Sequence, residues 1–258
     1  MPSLALQCAS GASGDMLLGA LLDLGASLER VRAGVAAVAP EPVEITVEPV
    51  RRAGFAALKA HVRVAESHHH RGWSHVRDLI TAAGPELDDG ARRRALETFR
   101  LLAQAEARAH GVGLDEVHFH EVGALDAIAD VVGVCVALED LGVDEVHADV
   151  VAVGSGQVRT SHGLLPVPVP AVLELFAGTD AVLEAGPVRA ELCTPTGAAL
   201  LVAQVGAWGA PPPATVVKVG VGAGSADHTR SANVVRAMLV EPVPQLAATP
   251  LPSPAVAR

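Results

Sequence analysis

The order of apolar and polar residues divides the chain into a helix-rich first half and a strand-rich second half. Residues 3–8 form a short apolar run that ends in the small-residue turn Ser10-Gly11-Ala12-Ser13-Gly14. Residues 15–24 are then mostly apolar and stop at Gly25, so the pattern predicts a buried strand, a tight turn and a helix. Ser27 is placed to cap a second helix ending near Pro40. Period-two alternation over 43–50 and 56–65 predicts two strands, joined as a hairpin by the turn at 51–55. A polar histidine loop at 67–73 leads to a helix capped by Ser74 and reaching 82 or 83. Apolar residues at Ala95, Phe99, Leu102, Ala103 and Ala109 mark one face of a long helix over 89–110, which Gly111 terminates. Residues 117–121 read as extended, and 125–141 as a buried helix with Gly142 behind it.

Beyond Gly142 the pattern turns to strands, over 148–153, 158–160, 181–184, 215–219 and 234–239, interrupted by helices over 171–176 and 196–205. The expected fold class is therefore α/β in the mixed α+β sense, a mixed sheet with flanking helices. It forms one domain over 1–240 with a soft subdivision near 142. Residues 241–258 carry Pro242, Pro244, Pro250, Pro252 and Pro254 with few bulky side chains, which predicts a disordered proline-rich tail.

Composition narrows the function classes. The chain is 50% hydrophobic but has only four Phe, two Trp and no Tyr, so its core must be aliphatic. A net charge of −10 opposes attraction to phosphate backbones, which argues against nucleic acid as a partner. Cys8, Cys135 and Cys193 are far apart, with no spacing suited to a disulfide framework or a thiolate zinc site, and a reducing cytoplasm fits them best. The first ten residues lack a signal-peptide pattern, and no apolar run is long enough for a membrane span. The compositional oddity is histidine: six of the 11 fall within 67–75 and 117–120.

The densest constellation is His118-Phe119-His120-Glu121 followed by Asp126 and Asp130. In an extended segment His118 and His120 share a face while Phe119 anchors the other; on a helix Asp126 and Asp130 share a face. Two imidazoles and up to three carboxylates suit a borderline divalent ion such as nickel, zinc, cobalt or manganese. The competing reading makes His120 and Glu121 helix caps and leaves the aspartates solvated. His68, His69 and His70, with His75 nearby, form a second candidate metal-gathering loop, and Arg71 beside them suits a phosphate or carboxylate. The turn at Ser10, Gly11, Ser13 and Gly14 lies where a strand meets a helix, a place that favours anions, with Asp15 placed to hold a bridging cation. Thr194-Pro195-Thr196-Gly197 starts a second helix and is a further candidate phosphate contact. Gly220, Gly222 and Gly224 precede a strand rather than a helix, so close backbone packing explains them better than dinucleotide binding. His162, after a glycine-rich turn, is a candidate distant ligand or acid/base. Cys8 and Cys193 read as core residues beside the two turns.

These segments together resemble one family, the nickel insertion protein that completes the nickel-pincer nucleotide cofactor of lactate racemase. The resemblance rests on SGASGDM at Ser10 to Met16, HHHR at His68 to Arg71, AEARAHG at Ala105 to Gly111 and HFHEVGALDAIADVVG at His118 to Gly133. It continues in GSGQV at Gly154, HGLLPVPVPA at His162 and ELCTPTGAA at Glu191. It implies insertion of Ni²⁺ into pyridinium-3,5-bisthiocarboxylic acid mononucleotide, with a carbon–nickel bond formed and CTP consumed with Mg²⁺ or Mn²⁺. It also implies a lactate racemase-type apoenzyme as recipient. Gln7 and Ala127 stand where the family pattern has an aspartate and a serine. The family's C-terminal portion, associated with CTP, is expected on a separately encoded chain. On this reading His118, His120 and Glu121, helped by 68–70, hold Ni²⁺ until softer thiocarboxylate sulfurs take it, and Glu121 or His162 receives the ring proton. Asp126, Asp130 or Asp15 holds the harder cation. The rival expectations are a nickel chaperone or storage module without catalysis and a metal-dependent phosphohydrolase.

Overall fold

A computed structural model describes residues 3–64, 71–119, 125–228 and 231–243. In chain order the elements are β1 (Ser3–Cys8), α1 (Gly14–Leu24), α2 (Leu28–Val38), β2 (Val43–Arg52), β3 (Phe55–Val64), α3 (Trp73–Ala82), α4 (Asp89–His110) and α5 (Leu125–Asp140). The second half holds β4 (Glu145–Ala152), β5 (Gln157–Thr160), β6 (Gly163–Pro166), α6 (Pro170–Phe176), β7 (Leu183–Glu184), α7 (Pro195–Gln204), β8 (Ala207–Trp208), β9 (Ala214–Ala223) and β10 (Val234–Pro242). This is the mixed α/β architecture that the hydrophobic pattern predicts.

Eight strands form one mixed sheet in the order β2-β3-β9-β10-β1-β4-β7, with β8 also paired to β4. β1 runs antiparallel to β10 and parallel to β4, so strands from both sides of Gly142 share hydrogen bonds. β5 and β6 form a separate hairpin. Helix α1 packs directly on β3, β9 and β10, and α5 packs against α1, α2 and α4. Nearly every α5 residue from Leu125 to Leu138 is buried, as expected for a helix apolar on all sides.

The glycines of β9 explain how α1 comes so close. A Cβ on Gly222 would overlap the Met16 carbonyl, and one on Gly220 would overlap the Ala20 carbonyl. Helix backbone therefore rests on strand backbone, the close approach anticipated for these glycines. β9 extends through Ala223, well past the predicted end at 219, because the glycine stretch pairs with β10.

Several boundaries moved for physical reasons. Gly72, not Ser74, is the N-cap of α3, since Trp73 is buried and its N–H donates to the Val117 carbonyl at 3.3 Å. The first hairpin turns through Ala53 and Gly54, both with positive φ, which extends β2 to Arg52 and starts β3 one residue early, at Phe55. β10 continues through Pro242, the beginning of the expected tail; residues 244–258 lie outside the described residues. β8 and a 3₁₀ turn at Leu114–Glu116 carry too few residues to leave a periodic signal.

Replacing Gly222 with Ala is expected to destabilise the fold by about 3 kcal/mol, the upper end of ordinary overpacking costs. Gly206→Ala, whose Cβ would meet no atom closer than 4.0 Å, should stay within about 0.5 kcal/mol of wild type. Urea denaturation of the two variants checks the contrast; equal midpoints would show that α1 does not need the β9 groove.

Candidate anion and metal site

Two loops from opposite ends of the sequence are tied together by backbone bonds. Ala12 N–H donates to the Leu192 carbonyl at 3.0 Å, and Thr194 N–H donates to the Ala12 carbonyl at 3.1 Å. The fit is tight: Gly11 has φ +96, and a Cβ there would overlap the Leu192 carbonyl, as one on Gly197 would overlap the Ala12 carbonyl. The lock sets the N-termini of α1 and α7 side by side. Thr194 caps α7, accepting from Gly197 N–H at 3.2 Å, and Pro195 occupies the first turn, as expected from the sequence.

Around this junction opens a cavity of about 420 Å³. Ser13, Gly14 and Asp15 line it from α1 and its cap, and Asp126, Ala127 and Asp130 from α5. Thr194, Pro195 and Thr196 contribute from α7, while Lys59, His61 and Arg63 form a basic wall from β3. Glu191 and Ser225 complete the rim. Of the residues expected to contact an anionic ligand, Ser13, Gly14, Thr194 and Thr196 reach the cavity. Ser10, Gly11 and Gly197 do not line it; the two glycines serve the backbone lock.

The electrostatics of the α1 end differ from a bare phosphate cradle. The Ser13 hydroxyl donates to Asp15 instead of capping its own helix, and the Lys59 ammonium pairs with Asp15. Lys59 is buried, with a side chain only 6% exposed. The Asp15 backbone N–H donates to Asp130, so carboxylates already sit at the helix N-terminus. Burial, reinforced by the charges of Asp15 and Asp126, pushes the Asp130 carboxyl well above the usual carboxylate range, while Lys59 opposes the shift. Among the described residues Asp130 Oδ1 is a buried polar atom with no hydrogen-bond partner. A Cβ on Gly14 would press on the Asp130 carboxyl, so only glycine lets the aspartate reach this position.

The orphaned oxygen and crowded carboxylates suit a hard divalent cation. Among the described residues no three His, Cys, Asp or Glu side chains enclose an ion by themselves. Mg²⁺ commonly takes one or two carboxylates and completes its shell with phosphate oxygens and water. A phosphate arriving unaccompanied would meet Asp15 and Asp130; a cation on the carboxylates removes that repulsion, and Lys59 and Arg63 supply further positive charge.

The histidine segments lie close by in the chain. Val117 and Phe119 are buried while His118 is exposed, the alternation expected of an extended segment, and Phe119 rests against Phe99 with ring centroids 6.1 Å apart. His118 bridges to Gly72, and Phe119 N–H donates to the Arg71 carbonyl at 3.3 Å. His68, His69, His70, His120 and Glu121 lie outside the described residues. Arg71, expected beside an anion, is buried and pairs with Glu41 at 3.2 Å. His162 does not line the carboxylate cavity; it sits on the β5–β6 turn beside His110. Ala127 lines the cavity beside Asp126, whereas Gln7 lies within β1 opposite Arg236.

Burial raises the Cys8 and Cys135 thiols to about 12 and pushes Cys193 well up as well, so none is a ready thiolate ligand. Sequence reasoning missed Lys59, whose signal was available: a lone lysine between Leu58 and Ala60 in an alternating strand, sharing a face with His61.

Comparison with known proteins decides the family. Residues 4–256 match the profile described as nickel insertion protein. The chain belongs to the nickel insertion protein family. A relative from a Nocardioides species, named pyridinium-3,5-bisthiocarboxylic acid mononucleotide nickel insertion protein, is 52% identical over 90% of this chain and 58% of its own length. Provisionally named nickel insertion proteins from Rhodopirellula baltica and Geotalea uraniireducens are 38% and 42% identical, over 93% and 91% of the chain and 60% of their own lengths. This family member thus spans about three-fifths of the length of the curated relatives it matches. No solved structure matches it. Among the described residues no helix is long and apolar enough to cross a membrane.

The raised Asp130 carboxyl fixes the sign of a pH effect. A carboxyl whose folded-state pKa lies above its unfolded value stabilises the fold below the ordinary value of 3.8 and loses that contribution as pH rises through the folded value. Asp130→Asn should therefore match wild type near pH 4 and melt on the order of 3 °C higher at pH 8. Millimolar Mg²⁺ or Mn²⁺ should raise the wild-type melting temperature and leave the variant unmoved. A scanning calorimetry series in which cation stabilises both equally would remove Asp130 from the cation site.

Proposed function

We propose that this chain carries the nickel-handling and substrate-binding portion of an enzyme that inserts Ni²⁺ into pyridinium-3,5-bisthiocarboxylic acid mononucleotide. The reaction class would be that of a nickel-inserting cyclometallase, acting in the cytoplasm, with a lactate racemase-type apoenzyme receiving the product. The observation that carries the reading is connectivity. Segment 65–70, with its three histidines, leaves β3 directly after the cavity wall that holds Arg63 and returns to the chain at Arg71. Segment 120–124, with His120 and Glu121, leaves Phe119 and returns at Leu125, next to Asp126 on the cavity. Arg71 and Phe119 are themselves hydrogen-bonded. Both nickel-donor segments are thus tethered at one end to the same bridge and at the other to the same cavity.

The chemistry follows from the donor types. Imidazoles of His118 and His120 with the Glu121 carboxylate, assisted by His68, His69 and His70, bind Ni²⁺ as cargo through borderline and hard donors. Thiocarboxylate sulfurs of the substrate are softer and draw the ion forward. Bond formation at the ring carbon then requires a C–H bond to break, its electron pair going to nickel and its proton to a base. Glu121 is the best-placed candidate by sequence, since its segment ends at the cavity. His162 opens instead on the neighbouring cavity.

Asp15, Asp126 and Asp130 are the proposed holders of Mg²⁺ or Mn²⁺, which would neutralise the phosphates of a bound nucleotide. Lys59, Arg63 and the N-terminus of α7 would orient the remaining phosphate charge. CTP use would depend on a C-terminal domain supplied by a separate chain, as the family resemblance implies.

The test is incubation with the substrate mononucleotide, Ni²⁺, Mg²⁺ and CTP, with and without the remaining portion of a family member, followed by mass measurement of the product. His118→Ala combined with His120→Ala should reduce nickel incorporation at least about 100-fold, equivalent to about 2.7 kcal/mol, while the circular dichroism spectrum is retained. Incorporation unchanged by the pair would overturn the site assignment. Tight nickel binding with no product under any condition would leave a chaperone instead.

A further inference from the structure

Among the described residues that line the carboxylate cavity there is one imidazole, that of His61. It stands on β3 between Lys59 and Arg63, and the alternation of the strand puts all three on one face. Across the hairpin Thr46 is its register partner and Glu48 its diagonal neighbour, with Glu48 Oε2 2.9 Å from His61 Nε2. An ionised carboxylate can only accept, so Nε2 carries the hydrogen and Nδ1 keeps its lone pair. Among the described residues Nδ1 has no partner. The other acid–base groups of the cavity are engaged. Asp15 accepts from the Ser13 hydroxyl, from Met16 N–H and from Lys59. Asp126 accepts from Ala127 N–H at 2.8 Å, Glu191 has partners of its own, and burial holds Asp130 toward its protonated form. His162 lines the neighbouring cavity instead.

From this arrangement we infer that His61 is the base that takes the ring proton when nickel is inserted, with Glu48 as its positioning residue. The inference rests on the nickel-insertion reading. As the ring carbon–hydrogen bond breaks, its electron pair forms the carbon–nickel bond and its proton passes to Nδ1. The Glu48 carboxylate fixes the tautomer beforehand and faces the positive charge that develops on the imidazole afterwards. With 32% of its side chain exposed, His61 can return the proton to water and begin again. Lys59 and Arg63 flank it along the strand, so a substrate seated by its phosphate on those cations is presented to the imidazole between them. Glu121 is then left to nickel, beside the histidines of its own segment.

The test is single-turnover insertion with the substrate mononucleotide, Ni²⁺, Mg²⁺ and CTP, together with the remaining portion of a family member. The substrate carries either hydrogen or deuterium at the reacting ring carbon. His61→Ala should lower the rate about 100-fold or more, and its deuterium isotope effect should exceed that of wild type because proton removal has become the slow step. Its nickel uptake in equilibrium dialysis should match wild type, whereas Glu121→Gln should lose uptake. Glu48→Gln should lower kcat about tenfold with KM unchanged and should also raise the isotope effect. A wild-type rate in His61→Ala, or a lowered rate with the isotope effect unmoved, overturns the base while the nickel-insertion reading stands. No product from wild type under the same conditions overturns that reading and the base with it. His61→Gln, closer in size, supplies the comparison if the alanine variant loses its circular dichroism signal.

Discussion

The contact on which the site depends is backbone against backbone, where Ala12 exchanges hydrogen bonds with Leu192 and Thr194. It joins the turn after the first strand to the turn before α7, some 180 residues later. No side chain could do this as closely, because Gly11 and Gly197 are each in contact with a carbonyl oxygen where a Cβ would stand. Once the lock is made, the N-termini of two helices point to one place. The carboxylates of α5 and the basic face of β3 then close the space around them. Loosening the lock would separate cap from cap and leave Lys59 and Asp130 without their common partner, Asp15.

The second constraint is charge. Burial and the neighbouring charges of Asp15 and Asp126 hold the Asp130 carboxyl toward its neutral form, while Lys59 pairs with Asp15. A protein selected for stability alone would place an apolar residue there. Retaining an unpartnered buried oxygen is the kind of local cost expected where a ligand completes the arrangement. A fold otherwise well satisfied by an aliphatic core can carry that cost at one point.

Much of the fold was legible because its helices are long and clearly patterned. α4 begins and ends where the apolar spacing and Gly111 place it, and α5 reads as buried from its composition. The Thr194-Pro195 start of α7 and the glycine packing of β9 were legible too, because each rests on local stereochemistry. What the sequence withheld was convergence. Nothing local reveals that Lys59 of a hairpin meets Asp15, that Arg71 turns away to Glu41, or that His162 faces His110 instead of the aspartates. The first of these is set by strand order, in which β3 lies beside β9 and so within reach of α1; the other two join loop to loop and a separate hairpin to α4. Ser74 lost its expected role for a similar reason: a hydrogen bond from Trp73 to a segment more than 40 residues away moved the start of α3.

The position of Trp73 has an optical consequence. The chain has two tryptophans and no tyrosine. Trp208 is spent against Phe176, at a ring separation of 6.0 Å. Trp73 is buried two residues after Arg71, with its backbone N–H donating to the Val117 carbonyl next to His118. Emission therefore comes from two indoles in different settings, one at the start of α3 and one against α6, so a change confined to either region alters one emitter and spares the other.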